Sequence, residues 1–178
     1  MADADIPSGG QVRDSQADGS GESPRREPIP QETEHEYHAS AVWTGDAAGA
    51  GKVRLGEGGV SAAIAGAREL GGSGSGTNPE ELLVGALAAC FVNTWAIFLK
   101  KLQIPYAEPA IRVTGTLGKD PAGGFHMTGA VIRARVPESL LAADRPKVEK
   151  TLSLTEKYCI ISKVVRAAMP VRVEIETV

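Results

Sequence analysis

The most apolar stretch of the chain runs from Leu82 to Leu99, where only Asn93 and Thr94 carry polar side chains. A helix over this stretch is apolar on almost every side, and such a helix is either buried in a core or spans a membrane. The stretch is at the short limit for a membrane roughly 30 Å thick, and Gly85 and the polar pair favour a buried helix. Because a small domain can hardly cover such a helix alone, we expect a second subunit to cover part of it.

Strong start and stop signals flank this stretch. Asn78 is a favoured N-cap, Pro79 suits the first helical position, and Glu80 and Glu81 complement the positive end of the helix dipole. Glu81 also stands three residues after Asn78, which is the capping-box spacing. Two lysines follow at the negative end of the dipole. The pattern predicts a helix that ends near Leu102.

Alternating apolar and polar residues predict strands on both sides of this helix. Upstream, residues 35–43 have the pattern of a strand, and residues 52–66 have that of a hairpin with a glycine-rich tip. Downstream, residues 111–119 and 125–136 alternate on either side of a DPAGG turn, and PVRVEIETV closes the chain as a strand. In the second of the two alternating segments, one face carries Thr128, Ala130, Ile132, Ala134 and Val136.

Two helices are predicted before the last strand. Residues 138–158 have a helical pattern that Pro146 should break, and a short helix should begin at Cys159. Hairpins outnumber alternating strand–helix units. We therefore predict an α+β fold in which antiparallel sheets pack around a long central buried helix.

The first part of the chain has a different composition. Residues 1–34 are rich in Gly, Ser, Pro and charged side chains, and they cannot bury enough apolar surface to offset their chain entropy. We expect a disordered tail over 1–34 and one domain over 35–178. The tail has no apolar segment of the kind found in secretory signals, so a cytoplasmic protein is expected.

Composition and motifs exclude several classes of function. The net charge is −3, and no basic patch is dense enough to predict nucleic-acid binding. The glycine-rich segment ARELGGSGSG lacks the lysine and the preceding buried strand of a phosphate-binding loop. The histidines His35, His38 and His126 do not stand at metal-site spacings from either cysteine, so no metal or other cofactor is expected.

The two cysteines are the main candidates for chemistry. Cys90 lies in the apolar run and Cys159 at a predicted helix start. They could be a redox pair, or two unrelated core thiols, since free cysteine is often buried. Cys90 is mid-helix, so we expect no helix-end amide to reach it, and activation requires a cation such as a loop arginine. Glu80 could orient that arginine through a bidentate pair, or it could serve only the helix dipole.

Three segments carry a family resemblance. RELGGSGSGTNPEELLVGALAACF resembles the signature segment of the OsmC/Ohr family of thiol-dependent peroxidases, WTGDAAGAGKV resembles the W-x-G-D loop of its OsmC branch, and EKYCIISKVV resembles its second cysteine segment. The similarity covers residues 35–178. It implies an intertwined homodimer with active sites at the subunit interface.

The resemblance also implies roles for four residues. Cys90 matches the peroxidatic cysteine, Cys159 the resolving cysteine, and Glu80 the glutamate that positions an arginine. The loop GDAAGAG lacks the arginine that the Ohr branch carries there, so Arg68 is the candidate partner of the thiolate. The second cysteine is usually followed by proline, whereas Ile160 follows it here.

The implied activity is reduction of hydroperoxides through a Cys90 sulfenic acid and a Cys90–Cys159 disulfide. The resemblance further implies a dithiol reductant of the lipoyl type, free or carried on a protein. Apolar neighbours would favour organic hydroperoxides over hydrogen peroxide, and the candidates are Leu87, Phe91, Trp95 and Phe98, unless these residues only fill the core. The alternative is a non-catalytic binding or stress-response module that kept the dimeric fold.

Overall fold

The computed structural model describes residues 34–178, so the predicted tail lies, but for its last residue, outside the described residues. The chain divides into two compact units, of which the first ends at Gly76 and the second spans Thr77–Val178. Each unit has its own three-stranded sheet.

The first unit is an antiparallel sheet with the strand order β1-β2-β3. The strands are β1 (Ala39–Thr44), β2 (Ala50–Leu55) and β3 (Val60–Ala65). The turn between β2 and β3 holds the glycine-rich tip predicted from the sequence, and Gly56 and Gly59 adopt positive φ angles there. A single 3₁₀ turn at Arg68–Leu70 follows the sheet.

The second unit contains all three α-helices of the described residues. In chain order its elements are α1 (Pro79–Lys101), β4 (Ala110–Lys119), β5 (Phe125–Val136), α2 (Glu138–Tyr158), α3 (Ile160–Ala168) and β6 (Val171–Thr177). The α+β class is therefore confirmed.

The expectation that both sheets are antiparallel is wrong for the second one. β4 and β5 form an antiparallel hairpin, but β5 and β6 run parallel. Helices α2 and α3 connect β5 to β6, and a crossover of this length returns the chain to the same end of the sheet. The alternation within β5 is as predicted, because Ala130, Ile132, Ala134 and Val136 are all buried.

Local signals place the start of α1 at the predicted position. The Asn78 side chain accepts a hydrogen bond from the Glu81 backbone N–H at 2.7 Å, and Pro79 is the first helical residue. The Glu81 carboxylate accepts a hydrogen bond from the Thr77 hydroxyl at 2.8 Å. In a complete capping box the Glu81 carboxylate would accept a hydrogen bond from the Asn78 backbone N–H. Here it accepts one from the hydroxyl of Thr77, the residue before the N-cap, instead.

Helix α1 is buried along one stripe only. Leu87, Phe91, Trp95 and Leu99 follow a four-residue spacing and join the core that the buried face of β5 lines. Another stripe of the helix contains Leu83 and Ile97, whose side chains are 39% and 47% exposed, respectively. The helix is long and apolar enough to cross a membrane, but its buried stripe shows that it is the core helix of this unit. The predicted burial on all sides is not reached within one chain.

The kink in α2 comes near the predicted break. Asp144 has non-helical angles (φ −162°, ψ 74°), two residues before Pro146. The Asp144 carboxylate accepts a hydrogen bond from the Lys147 backbone N–H at 3.0 Å and so caps the second segment of the helix. That segment leads directly to Cys159.

Candidate functional site

The structure brings the two cysteines into contact. The Cys159 thiol donates a hydrogen bond to the Cys90 sulfur, with 3.0 Å between the sulfur atoms. Both cysteines are free thiols. A disulfide bond is about 2.05 Å long, so the sulfurs need to approach by only about 1 Å to form one. The pair joins α1 to the junction between α2 and α3.

Cys159 is held in place by the two helices it separates. Its backbone N–H donates to the Thr155 carbonyl at 2.8 Å, which ends α2. Its extended backbone (φ −63°, ψ 115°) makes it the N-cap of α3, and its sulfur accepts from the Ser162 backbone N–H at 3.4 Å. A thiol here has the position that serine or aspartate commonly takes at a helix start. The sequence prediction of a helix beginning at this cysteine is confirmed.

Burial dominates the acidity of Cys159. The residue is fully buried, and burial raises the pKa of its thiol because the charged form loses hydration. The side chain of Ser162 lowers this pKa in part, and the neighbouring Cys90 raises it again. The Ser162 hydroxyl is buried, and among the described residues it has no hydrogen-bond partner of standard geometry. Cys159 therefore keeps its proton and offers it to Cys90.

Cys90 has the opposite shift. Burial alone raises the pKa of its thiol, but the backbone amide of Ile161, the Cys159 thiol and the backbone amide of Ile160 together bring this pKa below 9.0, the ordinary value. The Thr94 hydroxyl lowers the pKa of Cys90 by the smallest amount. This hydroxyl donates a hydrogen bond to the backbone carbonyl of Cys90 at 2.8 Å.

The expectation that no helix-end amide reaches Cys90 is therefore wrong. Cys90 is remote from the ends of its own helix, yet its sulfur lies against the N-terminus of α3, which begins 70 residues later in the chain. The two amides belong to Ile160 and Ile161, the first residues of α3. No local signal in the sequence around Cys90 could have predicted this contact, because it depends on how α1 and α3 pack.

Glu80 is not in contact with the cysteine pair. It lies in the first turn of α1, half-buried, and its ten-residue separation from Cys90 corresponds to about 15 Å along a helix. Any effect of Glu80 on Cys90 must pass through another group.

Arg68 belongs to the first unit, where it begins the 3₁₀ turn. Its side chain lies across Gly74, at which a Cβ atom would stand only 2.5 Å from the Arg68 Cγ and Nε atoms. Gly74 also has a φ of +63° and donates a backbone hydrogen bond to the Gly66 carbonyl at 3.0 Å. This glycine-rich loop is closed by hydrogen bonds, and its glycines leave room for the arginine side chain.

Most of the apolar residues proposed from sequence as substrate neighbours belong to the core. Leu87, Phe91 and Trp95 are at most 1% exposed. Phe98 is partly buried and packs against Tyr158, with 5.6 Å between ring centroids.

A different set of exposed apolar side chains lies on the two cysteine-bearing segments, and we call it the apolar rim. It consists of Leu83 and Ile97, seven residues on either side of Cys90 along the same face of α1, and of Tyr158 and Ile160, which flank Cys159. Tyr158 is 51% exposed and Ile160 is 70% exposed. This set is not predicted from the sequence pattern, although the seven-residue spacing of Leu83, Cys90 and Ile97 is visible there.

Within residues 34–178, no cluster of three His, Cys, Asp or Glu side chains could hold a metal ion. Two of the three histidines lie near carboxylates instead. His126 Nδ1 is 3.6 Å from Asp120 at the β4–β5 turn, and His38 Nε2 is 3.8 Å from Glu36.

Comparisons with known proteins identify similar chains. Among curated proteins, an organic hydroperoxide resistance protein-like 1 of Staphylococcus epidermidis is 31% identical over 105 residues, which span 59% of this chain and 73% of that protein. A crystal structure of the organic hydroperoxide resistance protein OhrB of Bacillus subtilis superposes with a TM-score of 0.59 at 26% identity, over 78% of this chain and 98% of that one.

A second solved structure supports the fold. The crystal structure of an organic hydroperoxide resistance protein OsmC from Legionella pneumophila superposes with a TM-score of 0.65 at 24% identity, over 80% of this chain and 99% of that one. The family model described as OsmC-like protein matches residues 72–174, which is more than half of the chain and includes both cysteines. The chain is therefore a member of the OsmC-like protein family.

Proposed function

We propose that this protein is a cysteine-based peroxidase that reduces organic hydroperoxides. The observation that supports it most directly is the contact between the Cys159 thiol and the Cys90 sulfur at 3.0 Å. In this pair the pKa of Cys90 is lowered and that of Cys159 is raised. A thiolate is the nucleophile in such chemistry, so the arrangement gives each thiol a distinct role.

In the first step the Cys90 thiolate attacks one oxygen of the O–O bond. A new S–O bond forms, the O–O bond breaks, and the leaving alkoxide takes a proton to become an alcohol. The sulfur supplies the two electrons that reduce the peroxide and becomes a sulfenic acid, Cys90–SOH. The hydrogen-bond donors around Cys90 hold the thiolate ready for this attack.

In the second step Cys159 resolves the sulfenic acid. Its sulfur attacks the Cys90 sulfur, the S–O bond breaks, and water leaves as the disulfide forms. An external dithiol then reduces the disulfide by thiol–disulfide exchange and is itself oxidised to a cyclic disulfide. We propose a dithiol of the lipoyl type, free or carried on a protein, as the family resemblance implies.

Two members of the apolar rim, Tyr158 and Ile160, support organic hydroperoxides as substrates. Their exposed apolar side chains flank Cys159 and can bury the hydrocarbon part of a substrate, which contributes about 0.8 kcal/mol for each buried CH₂ group. Hydrogen peroxide has no such group. The S. epidermidis relative is named for organic hydroperoxide resistance, and this name favours the same substrate class here.

Arg68 and Glu80 are proposed to act as a pair. The Arg68 guanidinium would add a positive charge beside the Cys90 thiolate, and Glu80 would orient it through a bidentate ion pair. Neither role is needed for the Cys90–Cys159 contact, which lies within the second unit.

The protein is proposed to act as a homodimer in the cytoplasm. The exposed stripe of α1 supports the dimer, because Leu83 and Ile97 are apolar and uncovered within one chain. A second copy that packs on this stripe would also enclose the site around Cys90.

The test is consumption of cumene hydroperoxide by the reduced protein. The wild type should consume the hydroperoxide catalytically with a lipoyl-type dithiol, and one equivalent without reductant should yield a Cys90–Cys159 disulfide. Cys90→Ser should consume none. Cys159→Ser should consume one equivalent and leave a sulfenic acid on Cys90 that dimedone can trap.

The non-catalytic alternative makes the opposite prediction. A binding or stress-response module would form no disulfide under one equivalent of hydroperoxide, and Cys90→Ser would behave like the wild type. Such a result would reject the peroxidase proposal.

A further inference from the structure

We propose that the hydroxyl of Ser162 is a positioning group for the resolving cysteine, and that it supplies a hydrogen bond to the Cys159 sulfur once that sulfur has given up its proton. This inference rests on the peroxidase proposal and deepens its second step, in which Cys159 attacks the oxidised Cys90. It gives a role to the only buried side-chain polar atom of residues 34–178 that lacks a hydrogen-bond partner.

The position of Ser162 in α3 places it against Cys159. Cys159 is the N-cap of α3, and Ser162 is the third residue of the helix. The Ser162 backbone N–H donates to the Cys159 sulfur at 3.4 Å, so the base of the Ser162 side chain is held beside that sulfur. A side chain at this position of a helix commonly reaches back to the N-cap residue. Rotation about χ1 moves the hydroxyl among its staggered positions without moving the helix.

The Ser162 hydroxyl is an unused donor in the reduced protein. Ser162 is completely buried, and its Oγ has no partner in the part of the chain that the structure describes. The buried Thr151 and Thr155 differ, because the hydroxyl of each donates to a backbone carbonyl of α2. Buried hydroxyls are usually hydrogen-bonded, and an unpaired one destabilises the folded state. We therefore expect its partner to become an acceptor only at a later stage of the reaction.

The resolving step creates such an acceptor. As a thiol, Cys159 donates its proton to the Cys90 sulfur. When Cys159 attacks the Cys90 sulfenic acid, this proton leaves with the hydroxyl group as water, and the Cys159 sulfur carries negative charge until the new S–S bond has formed. Bulk water cannot stabilise this charge, because Cys159 is fully buried.

Ser162 can replace the missing water. Its N–H already contacts the Cys159 sulfur, and its hydroxyl would add a second donor from the same residue. Hydrogen bonds to a charged group are stronger in buried surroundings than in water. The acidity of the thiol agrees with this role: burial raises the pKa of Cys159, and the Ser162 side chain is the largest of the influences that lower it.

The test measures the attack of Cys159 separately from the attack of Cys90. Dithiobis(nitrobenzoate), an aromatic disulfide, should react first with Cys90, which releases one coloured thiolate and leaves a mixed disulfide on Cys90. Cys159 then attacks the Cys90 sulfur and releases a second coloured thiolate as the protein disulfide forms. Absorbance follows both releases, and Cys159→Ser should show only the first.

Ser162→Ala should slow the second release at least about tenfold, the effect of losing one hydrogen bond to a charged group, and should leave the first release nearly unchanged. The melting temperature of the reduced protein should not fall, because the lost hydroxyl has no partner there and alanine is the better helix former. A second release as fast as that of the wild type would overturn the proposal. A slow second release accompanied by a large loss of stability would assign the effect to structure and would also overturn it.

Ser162→Thr and Ser162→Val are the matched pair. The two side chains have similar shapes, so any cost of adding bulk to this buried position is shared, but only threonine keeps the hydroxyl. The second release should be at least about tenfold faster in Ser162→Thr than in Ser162→Val. Equal rates in the pair would reject the donor role. If neither variant folds, the alanine variant decides alone.

These measurements need no hydroperoxide. If the protein consumes no cumene hydroperoxide but Ser162→Ala slows the second release, the peroxidase proposal fails while the role of Ser162 toward the Cys159 sulfur stands. If the wild type consumes the hydroperoxide and Ser162→Ala slows neither the second release nor disulfide formation after one equivalent of hydroperoxide, the role of Ser162 fails alone.

Discussion

The thiol of Cys159 donates a hydrogen bond to the sulfur of Cys90, so that two cysteines in direct contact differ in acidity. The donor is fully buried and its pKa is raised, whereas the acceptor lies at the N-terminus of α3 and its pKa is lowered. This asymmetry orders their reactivity.

At pH values below 9 the two thiols should therefore be alkylated in sequence. The thiolate fraction of an acid rises as its pKa falls, so Cys90 should react with iodoacetamide first and Cys159 only after the protein unfolds. Peptide mapping by mass spectrometry at several times checks this order. Equal labelling of both cysteines in the folded protein would contradict it.

If Arg68 is the proposed partner of the thiolate, replacing Arg68 by alanine should raise the pKa of Cys90, because the thiolate then loses a positive charge. Each unit of increase corresponds to about 1.4 kcal/mol of lost thiolate stabilisation. The measurement is the pH midpoint of Cys90 alkylation on a Cys159→Ser background, with Arg172→Ala as the control, because Arg172 is an exposed arginine of β6.

An unchanged midpoint in Arg68→Ala would mean that another cation, such as Lys52 or Arg54, acts on Cys90, or that the amides of α3 suffice.

Glu80→Gln provides a second check. If Glu80 orients Arg68, both variants should shift the midpoint in the same direction, and the double variant should shift it little further than Arg68→Ala does.

Thr151→Val should destabilise the second unit by about 1–3 kcal/mol. The buried Trp95 indole N–H donates to the Thr151 hydroxyl at 2.9 Å, and this hydroxyl donates to the Val148 carbonyl at 2.6 Å. Valine keeps the shape of threonine but leaves the indole N–H without a partner. Thr151→Ser keeps the hydroxyl and is the control. Urea unfolding measures both, and an equal loss in the two variants would assign the effect to packing.

A charge on the exposed stripe of α1 should weaken the proposed dimer. Ile97→Glu would place a carboxylate in the apolar contact between subunits, and the dissociation constant should rise at least about tenfold, which corresponds to about 1.4 kcal/mol. Phe125→Glu is the control, because Phe125 is comparably exposed (53%) but lies at the β4–β5 turn.

Sedimentation velocity across a micromolar concentration range measures both variants and the wild type. A wild type that stays monomeric throughout would reject the dimer itself. A dimer that Ile97→Glu leaves intact would move the interface away from this stripe of α1.

The sequence alone was sufficient for features that depend on neighbouring residues. Asn78 and Pro79 mark the start of α1 because a helix start requires a side-chain acceptor and tolerates the missing proline N–H. The alternation of apolar residues in β5 predicts its buried face because successive side chains of a strand point to opposite sides. The motifs around Cys90 and Cys159 were sufficient to suggest the family.

Tertiary structure alone decided the features that join distant parts of the chain. β6 pairs with β5 in parallel because α2 and α3 carry the chain back across the sheet, and strand periodicity is the same in either direction. Cys90 acquires its donors from α3 because the packing of α1 against α3 brings that helix N-terminus to its sulfur. Hydrophobic patterns define which face of an element is buried, but they do not define which partner it meets.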